Sequence, residues 1–295
     1  NKVVIIGCGN VGMSYAYALV NQKCNVDELI LIDVNKEKAE GEAADLNHSI
    51  PYSPNNMTIK AGNYPDCKDA SIVMIAAGAN QNAGETRLDL IHKNIRIFTS
   101  IIDQVMATGF NNIFLIATNP VDAMSYITYK YSKLPASQII GTGTSLDTAR
   151  LRFILSKKFE ISPKNVHAYV LGEHGDSEFI TWSSAMIGSV KIDSMLSKKE
   201  KEEISEEVRN SAYEIIEKKG NTSYGIGMCL LRITNAILND ENAIITVSSF
   251  DKDIYISSPC IINRQGIKRR LKIELTKEEQ ELYDKSKDII KNTIK

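Results

Sequence analysis

The chain predicts an α/β fold, with a doubly wound parallel sheet in residues 1–141 and an α+β domain in residues 142–295. Three observations carry this. Short β-branched runs alternate with helical stretches through the first half. A glycine-rich turn joins the first run to the first helix. Past residue 141 the alternation stops, and three strand-like stretches before residue 275 look antiparallel.

The opening run Lys2-Val3-Val4-Ile5-Ile6 has the composition of a strand buried on both faces. Gly7-Cys8-Gly9-Asn10-Val11-Gly12 follows, then a helical stretch over residues 13–21. A second run, Glu28-Leu29-Ile30-Leu31-Ile32, ends on Asp33, 21 residues after Gly12. This is the order of a Rossmann dinucleotide site. Gly7 permits a tight turn, Gly9 lets a pyrophosphate approach the backbone, and Gly12 lets helix and strand pack closely. The helix N-terminus offers N–H groups to phosphate, and Asp33 can accept from a ribose diol. An acid there repels a 2'-phosphate, so NAD is expected over NADP. The alternation continues with a helix over 36–50, strands over 57–61 and 71–77, a long helix over 88–108 and a strand over 112–117. Ligands sit at the carboxyl ends of such strands, which places Gly78, Thr118 and Asn119 at the cofactor cleft.

The second half predicts a helix over 145–159 and a strand through Val166-His167-Ala168-Tyr169-Val170-Leu171, ending at Gly172-Glu173-His174-Gly175-Asp176. Helices over 199–219 and 223–238, strands over 243–250, 254–262 and 268–274, and a terminal helix over 277–294 complete it.

The formal net charge of -1 gives no electrostatic case for nucleic acid or an anionic membrane. The basic cluster Lys268-Arg269-Arg270 is followed by Glu274, Glu278 and Glu279, as on a solvated face. Five scattered cysteines without a Cys-x-x-Cys fit free thiols and argue against a zinc site, so no metal is expected. No apolar run reaches the ~18 residues of a membrane span, and a cytoplasmic protein is expected.

His174 stands where a strand stops between glycines, and imidazole can hold or release a proton near neutral pH. Asp147 and Arg150, three apart in the predicted 145–159 helix, project from one face. As an ion pair on a helix surface they would contribute little. Alternatively, Asp147 orients His174 and favours its imidazolium, while Arg150 grips a carboxylate with two parallel hydrogen bonds. Residues 79–87, small, polar and glycine-containing, have the composition of a mobile lid with Arg87 at its hinge.

Six ordered motifs now carry a family resemblance: Gly7-Cys8-Gly9-Asn10-Val11-Gly12, Gly78-Ala79-Asn80-Gln81, Gly84-Glu85-Thr86-Arg87, Ala117-Thr118-Asn119-Pro120, Leu146-Asp147-Thr148-Ala149-Arg150 and the segment around His174. The chain resembles the bacterial L-lactate dehydrogenases, within the lactate/malate dehydrogenase family, nearly end to end. The resemblance implies that His174 exchanges a proton with the substrate C2 oxygen and that Arg87 closes with the lid onto that oxygen. It implies Arg150 on the carboxylate, Asn119 near the reacting oxygen and Thr234 lining the pocket. For NAD it implies Val11, Asp33, Lys38, Tyr64, Gly78, Ala79, Ser100, Thr118, Asn119 and Thr142. Malate enzymes resemble this lid but carry arginine at the position of Gln81. A neutral Gln81 would leave the second carboxylate of oxaloacetate buried without a partner, which favours pyruvate/lactate. Arg152 and His167 resemble the fructose 1,6-bisphosphate site of allosteric members, which implies a homotetramer. Against the family pattern, the connections within 190–207 and 250–253 are short. Two alternatives stand beside this reading: a malate or other 2-hydroxyacid dehydrogenase, and an NAD-binding sensor without catalysis.

Overall fold

The computed structural model describes residues 1–79 and 87–294, with residues 87–90 described by their backbone alone. The first half runs β1 (Lys2–Ile6), α1 (Asn10–Asn21), β2 (Glu28–Ile32), α2 (Lys36–Ser49), β3 (Thr58–Ala61), β4 (Ile72–Ile75), α3 (Arg87–Met106), β5 (Ile113–Ile116), α4 (Val121–Ser132) and β6 (Ile139–Gly141). The strands are parallel, in the order β3-β2-β1-β4-β5-β6. That is the doubly wound order, with the strand sequence reversing beside β1.

The apolar runs are buried on both faces because helices cover both. Val3, Ile5, Leu29, Leu31 and Met74 pack with Tyr15 and Leu19 of α1 and Leu46 of α2. Val4, Ile6, Ile30, Val73 and Ile75 pack with Phe98 and Ile102 of α3 and Met124 of α4. Helix α4 and strand β6 are two elements that the sequence reading did not single out.

The second half runs α5 (Ser145–Lys158), β7 (Val166–His167), β8 (Val170–Leu171), β9 (Phe179–Ile180), β10 (Met186–Ile187), β11 (Val190–Lys191), α6 (Lys198–Lys219), α7 (Tyr224–Leu238), β12 (Ala243–Asp251), β13 (Ile254–Asn263), β14 (Gly266–Arg270) and α8 (Lys277–Thr293). Strands β12, β13 and β14 are antiparallel, as expected, but they do not form a separate sheet. Ser248 of β12 pairs with Gly141 of β6, so they extend the parallel sheet to nine strands. Strand β14 ends at Arg270, short of the expected 274. Leu271 N–H still donates to Pro259 O at 2.9 Å, and the chain then turns into the capping box of α8 at Thr276. Arg270 is no solvated charge: it pairs with Asp251 at 3.0 Å. The short 250–253 connection is a tight hairpin with Lys252 at φ 62.

The run from Val166 to Leu171 is a further correction. It is two two-residue strands in different small sheets, not one strand. Side chains of α5 and its N-cap Thr144 take backbone groups that a partner strand would otherwise satisfy. Thr144 Oγ1 donates to Val170 O, Thr148 Oγ1 accepts from Val170 N–H at 3.1 Å, and Arg152 Nε donates to Ala168 O at 3.4 Å. Spaced four apart, these residues form one stripe of the helix. The stripe fixes α5 against the segment leading to His174.

Candidate active site

The strand registers build the cleft. Ile32, Ile6, Ile75, Ile116 and Gly141 lie in one row across five parallel strands. Gly7, Asp33, Gly78, Thr118 and Thr142 follow these row positions by one to three residues, so they share one rim.

The glycine turn fits a pyrophosphate. Gly7 has φ 107, and a Cβ there would lie 2.6 Å from Ala77 N. A Cβ on Gly12 would lie 2.0 Å from Gly7 O, so both glycines are required by packing. A Cβ on Gly9 would meet nothing within 4 Å: its emptiness is needed by no neighbour and is free for a ligand. Gly9 is also the N-cap of α1 and has no side chain to occupy the helix amides. Asp33 is fixed by Cys8 N–H at 2.7 Å and Asn35 N–H at 2.9 Å, one bond from each flanking loop.

The other expected cofactor residues divide. Ala79 N–H donates to Asn94 Oδ1 at 2.8 Å, and Asn94 Nδ2 reaches Asn119 O at 3.5 Å, joining two rim loops. Thr118 Oγ1 donates to Ala77 O at 2.8 Å, and Thr142 N–H to Ile116 O at 2.9 Å. Val11 is half-buried against the core. Lys38 and Ser100 are exposed on α2 and α3. Tyr64 packs its ring against the core.

On the other side of the rim, Asp147 Oδ2 lies 2.7 Å from His174 Nδ1, and Asp147 Oδ1 accepts from Arg150 Nη1 at 2.8 Å. Asp147 is almost fully buried at 3% side-chain exposure, whereas His174 keeps 25% and can meet a ligand. Burial would drive the imidazole toward its neutral form, but attraction to Asp147 and the bond to it outweigh this, and its pKa is pushed up to about 9. The carboxyl of Asp147 is held below the usual range: burial opposes this, and His174 and Arg150 prevail. With Nδ1 committed to Asp147, Nε2 is the nitrogen left for chemistry.

Two buried neighbours, Asp122 and Glu178, carry no sequence signal. Asp122, 3% exposed at the start of α4, accepts from His174 N–H at 2.9 Å and from Ser248 Oγ. Burial pushes its carboxyl up to about 6. Glu178, 6% exposed, lies beside Asp147 and His174. Asp147, His174 and Glu178 could be read as metal ligands, since their ligand atoms lie within 4.8 Å of one another. Asp147 is already bonded to both His174 and Arg150, however, and a cation there would compete with a guanidinium.

The expected pocket residue Thr234 is misplaced. It is fully buried, and its hydroxyl is bonded to Tyr15 OH at 2.6 Å between α7 and α1. It has no surface to offer a substrate. Gln81, the lid and the side chain of Arg87 lie outside the described residues.

Two family models cover the chain: "lactate/malate dehydrogenase, NAD binding domain" over residues 1–141, and "lactate/malate dehydrogenase, alpha/beta C-terminal domain" over 144–295. The chain belongs to the lactate/malate dehydrogenase family. It is 53% identical to the L-lactate dehydrogenase of Geobacillus sp. (strain WCH70), covering 100% of this chain and 96% of that protein. It is 51% identical to that of Halalkalibacterium halodurans, with 99% and 96% covered. Among solved structures it matches MGS-M5, a lactate dehydrogenase from a Medee basin deep-sea metagenome library, with TM-score 0.97 and 47% identity over 99% of this chain and 97% of that one. It also matches the ligand-bound minor L-lactate dehydrogenase of Enterococcus mundtii, with TM-score 0.97 and 42% identity over 100% and 97%. The chain is therefore an NAD-dependent oxidoreductase, and the glycine turn, open helix end and anchored Asp33 fit that cofactor.

Proposed function

We propose that the chain is an L-lactate dehydrogenase, interconverting pyruvate and lactate with His174 as proton donor and acceptor. One observation carries the reading: a single buried carboxylate, Asp147, holds His174 on one oxygen and Arg150 on the other. Bound NAD supplies or accepts the hydride. His174 gives its Nε2 proton to the C2 oxygen in reduction and recovers it in oxidation. Asp147 keeps Nδ1 protonated, fixes the tautomer and stabilises the imidazolium. Arg150, anchored through Nη1, turns the rest of its fork to the substrate carboxylate. Arg87 stabilises the charge developing on the oxygen, and Asn119 bonds nearby. Lactate over malate rests on the neutrality of Gln81 and on what the relatives are named.

The reading extends to activation by fructose 1,6-bisphosphate in a cytoplasmic homotetramer. Arg152 bonds Ala168 O, next to the exposed His167, and lies over the Tyr169 ring at 5.4 Å. Arg152 thus reaches the segment that carries His167, which supports a shared anion site. Free cysteines support a reducing compartment, and no helix among the described residues is long and apolar enough to cross a membrane.

Steady-state NADH oxidation with pyruvate and with oxaloacetate, each with and without the bisphosphate, tests this. Faster turnover of pyruvate that rises with the activator is expected. Preference for oxaloacetate would overturn the lactate assignment, and turnover without activation would remove the bisphosphate site.

A further inference from the structure

Glu178 lies just before β9 at 6% exposure, with a carboxyl oxygen within 4.8 Å of one on Asp147. Two ionised carboxylates this close in a buried site repel each other, so one of them takes a proton. Asp147 faces His174 at 2.7 Å and Arg150 at 2.8 Å, and both cations favour its ionised form. The proton therefore belongs on Glu178.

We infer that Glu178 is a positioning residue, present as a neutral carboxylic acid that donates to Asp147 and keeps that carboxylate aimed at His174 and Arg150. The electrostatics agree: burial first, and then the charge of Asp147, push the Glu178 carboxyl up to about 9. The role given to Glu178 rests on the proposed function, while its protonation rests on this packing. Two further titratable groups lie nearby. Asp122 of α4 lies behind the His174 backbone, and Cys229 of α7 is a thiol that burial raises to about 11.

The first test reads the free protein and needs no turnover. The Glu178 side-chain carboxyl is followed by carbon-13 NMR, its resonance assigned by its loss in Glu178→Gln. The carboxyl is expected to be protonated at pH 7 and to ionise only well above it. A carboxyl already ionised at pH 7 would overturn the inference. The second test compares kcat with pyruvate. Glu178→Leu, which lacks any donor, should lose at least about tenfold, and Glu178→Gln should restore most of it. Equal kcat in the two variants would reduce Glu178 to filler and also overturn the inference. If Glu178→Leu does not fold, the carboxyl titration decides. A wild type silent with pyruvate would defeat the functional reading and leave the titration standing.

Discussion

Asp122 holds the backbone N–H of His174 at 2.9 Å across 52 residues of sequence, from a helix of the parallel half to a loop of the antiparallel half. Its second oxygen takes Ser248 Oγ, from the strand that pairs with Gly141. The histidine loop is thus tied to the cofactor rim through the sheet itself. A further bridge, Ser257 N–H to Gly172 O at 3.0 Å, fixes the start of the loop to β13.

Replacing Asp122 with Ala leaves a buried N–H and a buried hydroxyl without their acceptor. A stability loss of about 1–3 kcal/mol is expected by denaturant titration. Turnover with pyruvate should fall while NADH affinity stays near wild type, because the Gly7–Gly12 turn is untouched. Loss of NADH binding alone would mean that Asp122 serves the cofactor.

The glycine turn makes an opposed pair of predictions. Gly12→Ala forces a methyl onto the Gly7 carbonyl and should destabilise the fold by about 1–3 kcal/mol. Gly9→Ala meets no atom and has an extended backbone at φ -82, so its melting temperature should hardly move. Its NADH dissociation constant, read by fluorescence titration, should rise at least about tenfold as the methyl enters the pyrophosphate space. Unchanged affinity in Gly9→Ala would place the phosphates elsewhere.

Arg150→Lys keeps the charge but loses the fork. The KM for pyruvate should rise roughly 10–100-fold, the worth of one charge-assisted hydrogen bond, with NADH affinity unaltered. An unchanged KM would mean that the carboxylate is bound by another group.

Much of this was legible in the sequence because it is local. A turn between β1 and α1, an acid at the end of β2 and a three-residue spacing on α5 can each be read from a few residues. What was not legible depends on distant pairs. Ser248 and Asp122 are 126 apart in sequence, and nothing around either marks it. Glu178 looks like an ordinary surface acid until burial beside Asp147 is known. Thr234 failed for the same reason in reverse: a hydroxyl assigned to a pocket is spent on a tyrosine of α1. Helix α4 escaped because its stretch mixes Tyr, Ser and Thr with apolar residues, and packing under β6, β12 and β13 decides its fold.

The central claim is that Asp147 keeps His174 protonated at neutral pH so that it can act as the acid. The pH dependence of kcat/KM for pyruvate tests it most directly, in the wild type and in Asp147→Asn. A folded-state pKa raised above 6.5 to about 9 keeps the proton donor loaded below that value and empties it as pH rises through it. Wild-type reduction should hold to about pH 9 and then fall, and Asp147→Asn should bring the limb down toward the ordinary histidine value and lose roughly 10²–10⁴-fold at neutral pH. A limb that stays in place when Asp147 is replaced would contradict the account.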